Sequence, residues 1–268
     1  MKIHDLRKET NIQMKNRFLT LCAVAAALTP AALIAQPRRV VLQGVINEPG
    51  QYVMPSDLQV VPSRGAGILI TASGVDLDMG GTSLTGPGGI QGTGIHVRGA
   101  AGVTIRNGKF ANLQIGVTVE NSANVTINNS QFRGEGLTPV EQPETAIMIV
   151  QSRNVVVTNN SIYSTGLGIF VRGGRSSGNR ISDNTITAGP GFAALGICYN
   201  PTPSDSHGPR GDLISGNVIA SYPTSLQFSP KSLSNLAMGN SFIDITEGFS
   251  GNTTDMDVNL SLPQAEGD

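Results

Sequence analysis

The chain has 268 residues, with 18 Lys and Arg against 19 Asp and Glu, eight Phe, four Tyr and no Trp. A near-neutral charge without a basic run excludes a protein that holds nucleic acid or an anionic membrane by bulk charge. So few aromatic residues argue against a sandwich or helical bundle, whose core would use more aromatic bulk.

From the N-terminus, the first recognisable segment is "MKNRFLTLCAVAAALTPAALIAQ", starting at Met14. Lys15 and Arg17 form a basic head, Phe18 to Leu28 an apolar run, and Leu33-Ile34-Ala35 a cleavage site before Gln36. That order is the build of a secretory signal, so residues 1–35 are expected to be removed and the product exported, to the periplasm or outside the cell. Met14 also fits as the start. Pro30 and the short apolar run fall below the about 20 residues a membrane span needs, so no span is expected after cleavage. Leu21 stands where a lipoprotein would have a small residue before Cys22. Cleavage leaves Cys198 as the one cysteine and therefore no internal disulfide. The leader also takes five basic and two acidic residues with it, leaving 13 Lys and Arg against 17 Asp and Glu, a net charge of −4. A nucleic-acid partner is not expected.

Residues 38–63 are apolar but outside any period, which reads as an N-terminal cap and first rung. From there one phrase recurs. Its anchors are Ile105, Ile127, Val157, Ile181 and Ile214, with Ala237 a weaker sixth, at spacings of 22, 30, 24, 33 and 23. Five residues after each comes Phe110, Phe132, Ile162, Ile186, Ile219 or Phe242, and between them an asparagine or aspartate. A second apolar phrase follows ten to twelve residues later: "GIHV", "GVTV", "AIMI", "GIFV", "LGIC" and "SLQF". Alternation within each phrase has period two, and helical spacing is missing from residue 36 onward. Short strands recurring at one period predict a solenoid of parallel rungs, right-handed by crossover chirality, with roughly seven to nine rungs over residues 36–250. The asparagines belong at a tight corner, where they tolerate left-handed backbone and can stack their amides along the axis. The polar tail 251–268 reads as a loose end.

The stretch "GILITASGVDLDMGGTSLTGPGGIQGTGIHVRGAAGVTIRNGKF" (67–110) resembles the opening coils of the right-handed parallel β-helix proteins of the pectate-lyase-like superfamily. Apolar-Asp-Leu-x-Gly, then Gly-Pro-Gly, then Gly-Ile-x-Val carry the likeness, which extends over about residues 40–250. It implies the all-β right-handed parallel β-helix, a scaffold that many unrelated activities share. "SDSHGP" (204–209) is only loosely similar to the Asp-Pro-His-Asp stretch of alginate-epimerase-like members. The Asp cluster of polygalacturonase-like members is missing. Pectate-lyase-like members use an arginine base with an acidic calcium-binding set; Arg172 is a candidate for the first, and the second is missing.

Since inward positions are filled, chemistry must use outward side chains and the loops that interrupt the period. Two loops flank one strand column: 133–145 before "AIMI" and 198–212 after "LGIC". Between them the outward floor should run His96, Thr118, Met148, Phe170, with Arg98, Glu120, Val150 and Arg172 alongside. Arg98 opposite Glu120 reads as an ordinary surface ion pair. The second loop gathers Asp205, His207, Arg210 and Asp212, with Tyr199 at its root. A histidine beside a carboxylate is an acid–base pair. The expected catalytic set is therefore His207 or Tyr199 as base or acid, Asp205 orienting His207, and Arg172 neutralising a sugar carboxylate. Phe170, Met148, Arg210, Glu144 and His96 are expected to bind substrate. Glu135, Glu141, Glu144 and Asp205 could hold Ca²⁺ through oxygens, but they lack a compact ligand spacing, so no metal site is assigned. The expected function is binding, and lyase- or epimerase-type modification, of a polysaccharide or cell-surface glycan. The alternative is a non-catalytic glycan-binding or cell-surface β-helix.

Overall fold

Three short strands make one coil. In residues 101–120 they are Ala101–Arg106, Lys109–Ala111 and Ile115–Glu120. We call the sheets built from these strands and their equivalents sheets 1, 2 and 3. The computed structural model describes residues 38–263 except 42–43, 60–64, 88–90, 135–143, 164, 190–194, 251–253 and 256–259. Over those residues sheet 1 has ten strands and sheets 2 and 3 have nine each. Each strand pairs in parallel with its equivalent one coil away, at the usual separation of about 4.8 Å. The result is a right-handed parallel β-solenoid of about seven turns. The expected leader lies outside the described residues.

The repeat maps directly onto columns. Ile105, Ile127, Val157, Ile181, Ile214 and Ala237 stand in register in sheet 1. Phe110, Phe132, Ile162, Ile186, Ile219 and Phe242 do so in sheet 2. All face inward and are buried, because period-two alternation sends every second side chain to the same side. Phe110 and Phe132 stack with ring centroids 4.6 Å apart. The glycine that opens the sheet 3 phrases makes room for this layer: a Cβ on Gly116 would stand 2.6 Å from a ring carbon of Phe132 and from the Ala146 carbonyl.

The corner between sheets 1 and 2 divides two roles between adjacent residues. Asn107, Asn129, Asn159 and Asp183 take left-handed backbone, with φ of 59, 48, 55 and 58°, and glycine replaces them at 216 and 239. The next residue forms the amide ladder. The backbone N–H groups of Asn160, Asn184 and Asn217 each donate to the Oδ1 of the asparagine one coil on, at 3.0 Å. The amide nitrogens bond backbone carbonyls, as Asn184 Nδ2 does to Val157 and Ser182. These buried amides are satisfied along the axis, which is what makes their burial affordable in free energy.

A serine ladder does the same where the chain enters sheet 1. Ala100, Ser122 and Ser152 donate their N–H groups to Ser122, Ser152 and Ser176 Oγ. At 209 the ladder meets proline, which has no N–H to donate, and Ser232 Oγ one coil on is left without a partner. At the ends, Arg39–Val40, Gly44–Ile46 and Leu58–Gln59 are terminal strands of sheets 1, 3 and 2. Thr254–Asp255 and Leu260–Pro263 terminate sheets 1 and 2 at the other end. Pairing thus continues into a tail whose sequence carries no period.

Candidate functional site

The outer face of sheet 3 is a flat wall one strand wide. Its first column runs Leu69, His96, Thr118, Met148, Phe170, Cys198 and Gln227. Its second runs Arg98, Glu120, Val150, Arg172 and Asn200. The expected floor of His96, Thr118, Met148 and Phe170 is therefore in register, and the column extends by one coil before it and two after it. Cys198 is 4% exposed; burial pushes its thiol up to about 12, so it is a packed apolar group here and not a nucleophile.

Glu120 pairs with His96 and not with Arg98. The His96 Nε2 lies 2.9 Å from Glu120 Oε2, across the diagonal between neighbouring strands. Both side chains are partly exposed, at 23% and 35%. This is the one histidine–carboxylate contact of this kind among the described residues.

The second loop is built differently from the sequence reading. Asp205 accepts hydrogen bonds from the Thr202 N–H and hydroxyl, from the Gly174 N–H at 2.9 Å and from Gln151 Nε2 at 3.3 Å. The Thr202 hydroxyl above all, with the Gly174 N–H, holds its carboxyl down to about 2. Lys231 Nζ donates to the Asp205 carbonyl at 3.1 Å. Asp205 anchors the loop to the preceding coil and does not orient His207. His207 is exposed, and no described side chain bonds its ring. Sequence reasoning missed Gln151, the other half of this anchor. It lies on the corner column Gly99, Asn121, Gln151, Gly173, all at positive φ.

Tyr199 is a correction of register. The phrase equivalent to "GIFV" is "GICY", not "LGIC", since Phe170 pairs with Cys198 and Val171 with Tyr199. A slip of one residue exchanges the two faces. Tyr199 therefore points inward, is 1% exposed and stacks on Phe228 at 4.7 Å. Its hydroxyl lies beside Asp212 without reaching hydrogen-bonding geometry, and burial raises its phenol pKa well above the ordinary value. It cannot exchange protons with a ligand on the wall. Glu144 is likewise buried, 2% exposed, at the foot of the first loop, and 135–143 lie outside the described residues. Arg172 is half-buried on the wall, and Arg210 is exposed at the corner, bridging Ser177 and Leu233. Among the described residues no group of three or more His, Cys, Asp or Glu could hold a metal ion. No described helix is long and apolar enough to cross a membrane.

Residues 66–221 match the family described as right handed beta helix region. Among solved structures, an alginate lyase from Paenibacillus sp. str. FPU-7 aligns with a TM-score of 0.56 at 14% identity, over 85% of this chain and 96% of that one. The enzymatically active domain of tailspike protein 2 from bacteriophage CBA120 aligns at 0.60 and 13%, over 85% of this chain but 38% of that one. An exopolygalacturonase from Thermotoga maritima aligns at 0.53 and 14%, over 78% and 67%. No curated protein sequence matches the chain.

Proposed function

The chain belongs to the right-handed β-helix family, and on that premise we propose that it is an exported protein that binds a polysaccharide along the outer face of sheet 3 and modifies it by lyase- or epimerase-type proton transfer. The observation that carries this reading is the His96–Glu120 pair, 2.9 Å apart, set in a continuous wall of aligned outward side chains. Imidazole held by a carboxylate is a proton-transfer pair: the carboxylate fixes the ring and stabilises the imidazolium that forms when it takes a proton. Phe170 and Met148, partly exposed next to Thr118, offer the apolar surface on which a sugar ring packs. Arg172 supplies a cation for a uronate carboxylate on the same wall. The alginate lyase and the exopolygalacturonase with this fold support the reading by kinship of scaffold.

The test is a panel of uronate and neutral polysaccharides, with binding read by calorimetry and lyase product by ultraviolet absorbance of the unsaturated sugar. Epimerisation is read by NMR of the polymer. Glycan binding is expected to weaken in Phe170→Ala. Turnover is expected to fall by about 100-fold or more in His96→Gln with affinity held within about twofold, while the control His207→Ala keeps both. Binding without product selects the non-catalytic reading, which the apolar Met148–Phe170 floor favours. No binding to any glycan sinks both.

A further inference from the structure

The corner by which the chain leaves sheet 3 for sheet 1 carries a notch beside the wall. Its floor is the small residues 99–101 and 121–123 of two successive coils, its far side is Gln151, Arg153 and Arg175, and it holds about 330 Å³. The step comes from the register: Arg153 pairs with Ala123 below it and with Ser177 above, so a long side chain overhangs a methyl group. The ledge is fixed in place. Gln151 Oε1 accepts the Arg175 N–H at 2.9 Å while its Nε2 donates to Asp205.

The charge here is mostly positive. Arg153 and Arg175 are exposed and make no ion pair among the described residues. Arg98 and Arg172 end the strands that feed this edge, and Arg210 continues the Arg153 column. Two carboxylates share this edge without pairing with an arginine, Glu120 bonded to His96 and Asp205 to the neutral donors of Thr202, Gly174 and Gln151. Elsewhere Arg39 pairs with Glu48 and Arg106 with Asp76 and Asp78, while Arg180 bonds the Ser182 hydroxyl and Arg133 lies over the Tyr163 ring. A chain with a formal net charge of −1 thus collects unpaired guanidinium groups along one edge.

We propose that this notch is an anion subsite, in which Arg153 and Arg175 clamp a carboxylate or sulfate group of an acidic polysaccharide. The planar guanidinium fork matches both oxyanions. No aromatic side chain lines the notch, so the base stacking that a nucleic-acid strand would need is missing, and an acidic glycan is the better fit. The proposal takes its polymer from the reading of sheet 3, but its residues are separate from the wall, so the two are tested separately.

The full chain is titrated at low and high salt with polygalacturonate, its methyl ester, dextran sulfate and oligo-dT. Polygalacturonate or dextran sulfate is expected to bind at least about tenfold tighter than the ester at low salt, and the stronger of the two polyanions identifies the anion. Arg153→Ala and Arg175→Ala are each expected to weaken that polyanion about fivefold, in line with an exposed ion pair of about 1 kcal/mol, without changing ester binding or the urea midpoint. Phe170→Ala should weaken the ester. A wild-type chain that does not bind the ester, with the arginine effects on the polyanion intact, counts against the wall alone. Equal affinity for acid and ester, or a double variant Arg153→Ala/Arg175→Ala that binds the polyanions as wild type does, overturns the subsite. Tighter binding of oligo-dT than of either polyanion overturns it too, since the notch would then serve nucleic acid.

Discussion

Asp212 stands between Asn179 and Asn235 in a column that Val155 precedes. Asn179 donates its N–H and its Nδ2 to the two Asp212 carboxyl oxygens at 2.8 and 3.0 Å. Asp212 in turn donates its N–H to Asn235 Oδ1 at 3.1 Å. Burial raises this carboxyl to about 6, despite the donors of Asn179. The fold favours the protonated form. Its stabilisation is therefore complete below about pH 4 and is lost as the pH rises through about 6. Asp212→Asn restores a neutral ladder and should raise stability by up to about 3 kcal/mol at pH 8, with almost no gain at pH 4; urea midpoints at the two pH values check this. Asp205 has the opposite sign. Its depressed carboxyl stabilises the loop above about pH 4, and that contribution is lost as the pH falls toward about 2. Asp205→Ala should speed amide exchange and proteolysis within 200–209 at neutral pH and leave global unfolding in place.

At the scale of the elements, the ladder and the glycine column set the coil spacing. Asn184 accepts from the N–H and the Nδ2 of Asn160 and donates to two carbonyls. Asn184→Ala should cost roughly 2–4 kcal/mol, because buried donors and acceptors are left unsatisfied in two coils. Ser130→Ala, at the edge of the same ladder, should cost about 1 kcal/mol. Gly116→Ala pushes a methyl group into the Phe132 ring and a carbonyl, and a loss of about 1–3 kcal/mol is expected from overpacking. The phrase-opening glycine was visible in the sequence as a letter, but its reason lies in a phenylalanine of the adjoining sheet.

Over the whole molecule, the core and the proposed glycan wall use opposite faces of the same strands. Ile147→Ala, fully buried in sheet 3, should cost about 2–5 kcal/mol. Phe170→Ala and His96→Gln, on the outer face, should move the urea midpoint by less than about 1 kcal/mol equivalent while changing glycan binding or turnover. Solenoid stability is a sum of neighbouring-coil terms, so the wall can vary without cost to the stack. Denaturation curves run beside the binding titrations check the separation.

The repeat, the parallel pairing, the inward columns and the floor from His96 to Phe170 were legible in the sequence, because a period of two within strands and a recurring coil length are local properties. Two kinds of fact were not. The register of "GICY" depends on which residue faces its neighbour one coil away, and a one-residue shift buried Tyr199. The partner of Glu120, the bonds from Gly174 and Gln151 to Asp205, and the meeting of Arg153 with Arg175 depend on groups 22 to 54 positions apart in the chain. Only stacking brings such distant letters within a few ångströms, and side-chain reach along the diagonal then decides which of them meet.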